Sequence, residues 1–288
     1  TSITSEDQSG CVNEIDISYL CGPRNAEDIL RIADSQWLLV SGMNGELSGN
    51  NLNGQIHLVN HQDKTYDIIF PGENPQLEQD MERFAGCPGP LDVTNFSSHG
   101  LALRSGEGRD QYLLYMTSHG AREAIEVFEV DTFLRPTLKW IGCVPMPETS
   151  WTNSIALLSD GGFLATQFMD PTGSGMAGVT AGEITGHLFE WHPGEAVSVI
   201  DGTELSGPNG IVISDDQRWI YVAAFGTAEV VRFDRITTPV SKESVKISIA
   251  PDNIRWSSDR TLYTAGGNVT EDCSGPNCGT GWSVIEII

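Results

Sequence analysis

The stretch NGIVISDDQRWIYVAAFGTAEVVRFD, residues 209–234, decides the fold. It opens on a polar residue, Asn209, and runs into a short apolar block, Ile211-Val212-Ile213. A polar turn follows, Ser214-Asp215-Asp216-Gln217, and then a strong β run, Trp219-Ile220-Tyr221-Val222-Ala223. After Gly226 comes a third run, Glu229 to Phe233, closing on Asp234. β-branched and aromatic runs of this length, bounded by Gly, Asp and Asn, are strand-turn-strand signals.

The same unit recurs. His99 heads HGLALRSGEGRDQYLLYMTSHGAREAIEVFEVD, and Asn153 heads NSIALLSDGGFLATQF and reaches GHLFEWHPG. Glu27 heads EDILRIADSQWLLVSG and reaches GQIHLVN; Asn253 heads NIRWSSDRTLYTAGG and reaches GTGWSVIEII. The starts at 27, 99, 153, 209 and 253 are 72, 54, 56 and 44 residues apart. A four-stranded propeller blade takes ~40–50 residues, so these spacings predict blades with one long insertion. A sandwich gives no reason to repeat a polar residue at the head of each unit. A propeller does, because its innermost strands begin around a shared channel. The prediction is an all-β chain, a single β-propeller domain over residues 1–288, with about five blades visible. Helical periodicity is scarce; the best helix candidate is PQLEQDMERF, residues 75–84.

Composition narrows the function. The 288 residues include 16 Lys and Arg against 39 Asp and Glu, a net charge of −23. That excludes nucleic acid and anionic membrane as natural partners, since both are polyanions. It suits a protein that holds hard cations on oxygen ligands. No apolar run reaches the ~20 residues of a membrane span. The chain opens on Thr1 with no charged-then-apolar leader, which reads as a processed or engineered start; removal of a leader implies export, to a secreted or periplasmic setting. Six cysteines, Cys11, Cys21, Cys87, Cys143, Cys273 and Cys278, permit up to three disulfides and form no Cys-x-x-Cys pair. Cys273 with Cys278, and Cys11 with Cys21 or with the last blade, are the candidate bridges.

The heads of the units carry the chemistry. On one ring stand Glu27, His99, Asn153, Asn209 and the pair Asp252-Asn253. Carboxylates and amides gathered this way form an oxygen-rich site of the kind Ca²⁺ prefers. Zinc wants His or Cys, and the ring offers one His. Each Asn taken alone reads as a turn cap or a link to the next blade; five polar heads in phase read as a metal cage. Trp151 and Phe168-Met169 flank Asn153 and belong to the core or the cleft mouth. His57, His61, His187 and His192 read as surface or structural. No Gly-x-Ser-x-Gly elbow is present, which disfavours a serine hydrolase.

These residues carry a resemblance. Gly207-Pro208-Asn209-Gly210-Ile211 with Trp219-Ile220-Tyr221-Val222-Ala223 resembles the asparagine-glycine blade of the paraoxonases and the related senescence-marker-protein–gluconolactonase family. Asp252-Asn253-Ile254, Ser98-His99-Gly100-Leu101, Tyr115-Met116-Thr117-Ser118-His119 and Glu27-Asp28 resemble further motifs of that family in the same order. The resemblance implies a six-bladed propeller with one catalytic Ca²⁺ held by Glu27, Asn153, Asn209, Asp252 and Asn253. It implies His99 as general base, with His119 supporting it. A second, structural Ca²⁺ is doubtful, because Ser154 stands where the family has an acid, although Asp28 and the Leu101 backbone remain. The expected function is a Ca²⁺-dependent hydrolase of lactones or aryl esters, the metal polarising the carbonyl and His99 activating water. The alternatives are a metal-assisted lyase, hydratase or isomerase on the same site, or a non-catalytic propeller that binds a ligand. The partner is a small-molecule substrate; neither substrate identity nor oligomeric state is legible.

Overall fold

A computed structural model describes residues 19–23, 25–33, 35–43, 54–269 and 281–287. Strands dominate it, and they assemble in chain order. β1 (Ala26–Arg31), β2 (Trp37–Gly42), β3 (Gln55–Asn60) and β4 (Thr65–Phe70) form the first antiparallel sheet. A segment containing β5 (Gln76–Leu77) leads to β6 (Phe96–Ser105), β7 (Gln111–Gly120), β8 (Ala124–Asp131) and β9 (Thr137–Pro145), the second sheet. The third holds β10 (Trp151–Leu157), β11 (Phe163–Met169), β12 (Leu188–Trp191) and β13 (Ser198–Val199), with the short helix α1 (Gly175–Thr180) between β11 and β12. The fourth holds β14 (Pro208–Ile213), β15 (Trp219–Ala224), β16 (Glu229–Asp234) and β17 (Ser241–Lys246). The last holds β18 (Ile249–Trp256), β19 (Leu262–Asn268) and β20 (Trp282–Ile287).

The five sheets are five blades of a β-propeller. Their first strands form the inner wall: β1 lies against β6, β6 against β10, β10 against β14 and β14 against β18. Side chains of β18 reach β1 and close the ring, through Asn253 Nδ2 donating to the Glu27 carbonyl at 2.9 Å and an ion pair between Arg255 and Asp28. Apolar residues pack between neighbouring blades, as alternation along twisted strands requires. One cluster joins the first three blades through Phe70, Phe96, Phe128, Trp140 and Phe163, all fully buried. A second joins blades three and four through Leu164, Ile220 and Phe233, and another joins four and five through Val230, Ile254 and Leu262. Among the described residues no such cluster joins blade five to blade one. The outermost strand of blade four, SKESVK, is exposed along its whole length, and its charges protect that edge from pairing with another chain.

One sequence expectation changes. Residues 75–84 are not a helix. Gln76 and Leu77 pair in parallel with Lys139 and Trp140 of β9, and the Glu78 and Asp80 amides donate to Trp140 and Ile141. Ten residues are marginal as a helix on their own, and the edge of β9 offers their backbone a better partner. The disulfide of the described residues is Cys87–Cys143, which ties this segment to β9 across 56 residues of chain. That pair was not among the candidates; Cys11, Cys273 and Cys278 lie outside the described residues, and no described cysteine is a free thiol. Among the described residues no helix is long and apolar enough to cross a membrane.

Candidate functional site

Every inner strand is irregular at the same place. On β1 the register slips between Ala26 and Ile29, on β6 between Ser98 and Leu101, and on β10 between Thr152 and Ile155. On β14 it slips between Pro208 and Ile211, and on β18 between Pro251 and Ile254. In each case three steps on the inner strand face two on its partner, the count of a β-bulge, which re-aims side chains. The residues inside the five bulges are Glu27-Asp28, His99-Gly100, Asn153-Ser154, Asn209-Gly210 and Asp252-Asn253. In phase, the head of the fifth unit is therefore Asp252, not Asn253.

The second bulge position is tight. A Cβ on Gly100 would lie 2.1 Å from the Asn153 carbonyl oxygen, and one on Gly210 would lie 2.5 Å from the Ile254 amide nitrogen. Neighbouring inner strands can approach this closely only because these side chains are missing. Hydroxyls on the second strands stitch the bulges together. Ser41 accepts from the Asp28 amide at 3.0 Å, and Thr166 accepts from the Ser154 amide at 3.0 Å. Thr117 donates to the Gly100 and Asn153 carbonyls at 3.3 and 3.0 Å, and Thr166 donates to the Asn209 carbonyl at 2.7 Å. Each of these two threonines thus binds its own blade's bulge and the head of the next blade. The sequence reading missed them; their signal was a Ser or Thr one residue past the apolar stretch of β2, β7 and β11.

The bulges hold six of the seven residues expected at the site, and β7 brings the seventh, His119, beside His99. His99 Nε2 is 3.1 Å from Glu27 Oε1 and 3.1 Å from Asn153 Nδ2. His99 Nδ1 is 2.8 Å from His119 Nε2, and His119 Nδ1 is 2.7 Å from Glu123 Oε1. Trp151 stacks flat on the His119 ring at 4.2 Å. Asn253 Nδ2 is spent on the Glu27 carbonyl, which leaves its Oδ1 free. The amide oxygens of Asn153, Asn209 and Asn253 are all buried without a hydrogen-bond partner. Buried polar atoms are almost always paired, so three orphans on one ring call for an explanation.

Charge crowds here. Burial and the neighbouring Glu27 carboxylate push Asp252 up to about 7. Burial works to raise Glu27 too, but the His99 ring beside it outweighs this and holds it below its usual value. His99 is held down by burial, yet the Glu27 charge wins and raises it. His119 is lowered, because burial prevails over the attraction of Glu123. Two carboxylates sharing a dry site are a strained arrangement that a cation relieves.

A hard divalent cation fits this donor set. The orphaned oxygens are amides, they stand beside Glu27 and Asp252, and Ca²⁺ takes six to eight such oxygens in flexible geometry. Among the described residues no three His, Cys, Asp or Glu side chains are grouped to hold a metal, so the cage depends on the asparagines. Asp28 is placed differently. Its carboxylate accepts the Leu101 amide at 2.8 Å and the Ile29 amide at 2.8 Å and is ion-paired with Arg255. The guanidinium already neutralises the acid on which a second ion would depend.

A cavity of about 1150 Å³ lies elsewhere. It opens between blades two and three beside Arg104, Gln111, Tyr112 and Trp191, at the far end of β6 and β7 from the dyad. No ring residue lines it.

No protein-family model matches the chain, and no curated protein matches it in sequence. Solved structures do match. A luciferin-regenerating enzyme is similar at a TM-score of 0.52 and 12% identity, over 93% of this chain and 78% of that one. A proposed gluconolactonase is similar at a TM-score of 0.51 and 13% identity, over 89% of this chain and 78% of that one. The likeness is one of fold. It fixes the propeller architecture, and the chemistry must come from the ring itself.

Proposed function

We propose that the chain is a Ca²⁺-dependent hydrolase of lactones or aryl esters. The observation that carries this is the set of three buried, unpartnered amide oxygens on Asn153, Asn209 and Asn253, set beside two carboxylates and a histidine dyad. Glu27, Asn153, Asn209, Asp252 and Asn253 would hold one catalytic ion. When bound, that ion supplies Lewis acidity toward a substrate carbonyl oxygen. His99 accepts a proton from the attacking water, through the nitrogen that faces Glu27 and Asn153. His119 accepts the hydrogen bond from the other nitrogen of His99 and steadies the ring as its charge develops. Trp151 keeps the His119 ring in plane. A structural likeness to a proposed gluconolactonase, whose substrate would be a cyclic ester, is compatible with this reading at the level of fold.

The partner is a small molecule, with neither nucleic acid nor membrane involved. The Cys87–Cys143 bridge supports an oxidising compartment, secreted or periplasmic.

The test is hydrolysis of a panel of lactones and aryl esters, with added Ca²⁺ and with excess chelator, alongside elemental analysis of the purified protein. Cation-dependent turnover is expected. Full activity in chelator, with no metal bound, would refute the proposal.

A further inference from the structure

We infer that Glu123 is a positioning residue of this site: its carboxylate holds His119 in the tautomer protonated on Nδ1 and so leaves His119 Nε2 free to accept from His99 Nδ1. This rests on the reading of His99 as the base. Glu123 sits in the turn between β7 and β8, its side chain 12% exposed and its Oε1 2.7 Å from His119 Nδ1. Its own carbonyl accepts the Met146 amide at 2.9 Å, which pins the turn to the end of β9.

The logic is one of hydrogen counting. An ionised carboxylate only accepts, so His119 Nδ1 must donate to it. A neutral imidazole has one N–H, so His119 Nε2 carries the lone pair and must accept from His99 Nδ1, 2.8 Å away. His99 Nδ1 therefore carries a proton. Its other nitrogen, Nε2, faces the channel between Asn153 Nδ2 and Glu27 Oε1, each at 3.1 Å. With the Glu123 carboxylate gone, nothing fixes the tautomer of His119. His119 protonated on Nε2 would donate to His99 Nδ1 and force the proton of His99 onto Nε2. His99 would then meet His119 as an acceptor instead of a donor. Trp151, stacked at 4.2 Å and 13°, holds the plane of the His119 ring but does not choose between its nitrogens. Only Glu123 makes that choice among the described partners of His119.

Nitrogen NMR of the full chain, labelled at histidine and held at alkaline pH, reads the tautomers directly. In the wild type, His119 and His99 are both expected to be protonated on Nδ1. Glu123→Leu should shift His119 toward the Nε2-protonated form. It should also lower kcat roughly 10- to 100-fold with KM within about twofold, the usual scale for a partner that orients a functional histidine. Glu123→Gln, whose amide oxygen still accepts, should keep the tautomer and restore most of the rate. A wild-type His119 protonated on Nε2, or a Glu123→Leu protein that keeps the Nδ1 form, overturns the inference. The wild-type spectrum decides even if the leucine variant does not fold. Because the tautomer is read without substrate, a protein inert toward every lactone and ester defeats the functional reading alone.

Discussion

Arg255, near the end of β18, is ion-paired with the buried carboxylate of Asp28 on β1, 227 residues away, across the one inter-blade seam that no apolar cluster spans among the described residues. Asp28 is 3% exposed, and burial raises its pKa against the pull of Arg255. Removing the partner of a buried charge strands it. Arg255→Met should therefore lower unfolding free energy by about 3 kcal/mol or more. Asp28→Asn combined with Arg255→Met should recover much of that loss. Urea titrations of the three proteins measure it; an Arg255→Met protein as stable as the wild type would show that the seam is held by something else.

Asp252 gives the cation-free protein a pH dependence of definite sign. Its folded pKa is raised from 3.8 to about 7, so the folded state favours the protonated acid. The stability this contributes is complete below pH about 4 and is lost as pH rises through about 7. The Glu27 shift acts in a lower window, below about 4.5, because its folded pKa is depressed. Asp252→Asn removes the acid, so in chelator it should melt above the wild type at pH 8 and beside it at pH 4. With Ca²⁺ added at pH 8 the order should reverse, since the wild type keeps both carboxylate ligands and gains ligand-linked stability. Melting curves at the two pH values check both halves.

His99→Gln should separate chemistry from folding. A general base contributes ~10²–10⁴ in rate, so kcat should fall by that factor. Ca²⁺ affinity and melting temperature should stay nearly intact, since the cage oxygens belong to other side chains. His119→Gln should cost less, because it acts through His99. A His99→Gln protein that melts far earlier yet keeps its specific activity would make the ring a packing element.

The Cys87–Cys143 bridge closes a loop of 56 residues that contains β6, β7, β8 and most of β9. By loop entropy this is worth about 4 kcal/mol. Serine at both positions should lower stability by up to that amount and should free residues 76–80 to leave the edge of β9, seen as faster amide exchange there. Thiol titration of the denatured, unreduced wild type should find fewer than six thiols, since Cys87, Cys143 and Cys21 are all bonded.

Much of the ring was legible because a bulge leaves a local mark. Each head stands one small or polar residue ahead of an aliphatic: Glu27-Asp28-Ile29, His99-Gly100-Leu101, Asn153-Ser154-Ile155, Asn209-Gly210-Ile211 and Asp252-Asn253-Ile254. That pattern survives in one dimension, and so the strands and the channel-facing set could be read from it. Glu123 could not be. It lies in a turn, and nothing about an acid after Arg122 tells which histidine it meets. The Arg255–Asp28 pair is invisible for the same reason, since it exists only once the ring closes. The Cys87–Cys143 pairing depends on how residues 71–95 wrap around β9, and the amphipathic look of residues 75–84 pointed to the wrong element because a free sheet edge outcompetes a short helix.

The seam also sets a timetable for synthesis. Ribosomes add ~5–20 residues each second, so Asp28 exists roughly 10 to 45 s before Arg255 has been made. For that interval the nascent chain is an open arc. Its first blade has an acidic inner edge with no guanidinium to meet it, and the apolar flank of each newest blade waits for a neighbour still being translated. Such an arc is the kind of half-built surface that aggregates or recruits chaperones. The step that ends this exposure is the arrival of one arginine, which makes position 255 a checkpoint for yield in the cell as well as a prop for the finished protein.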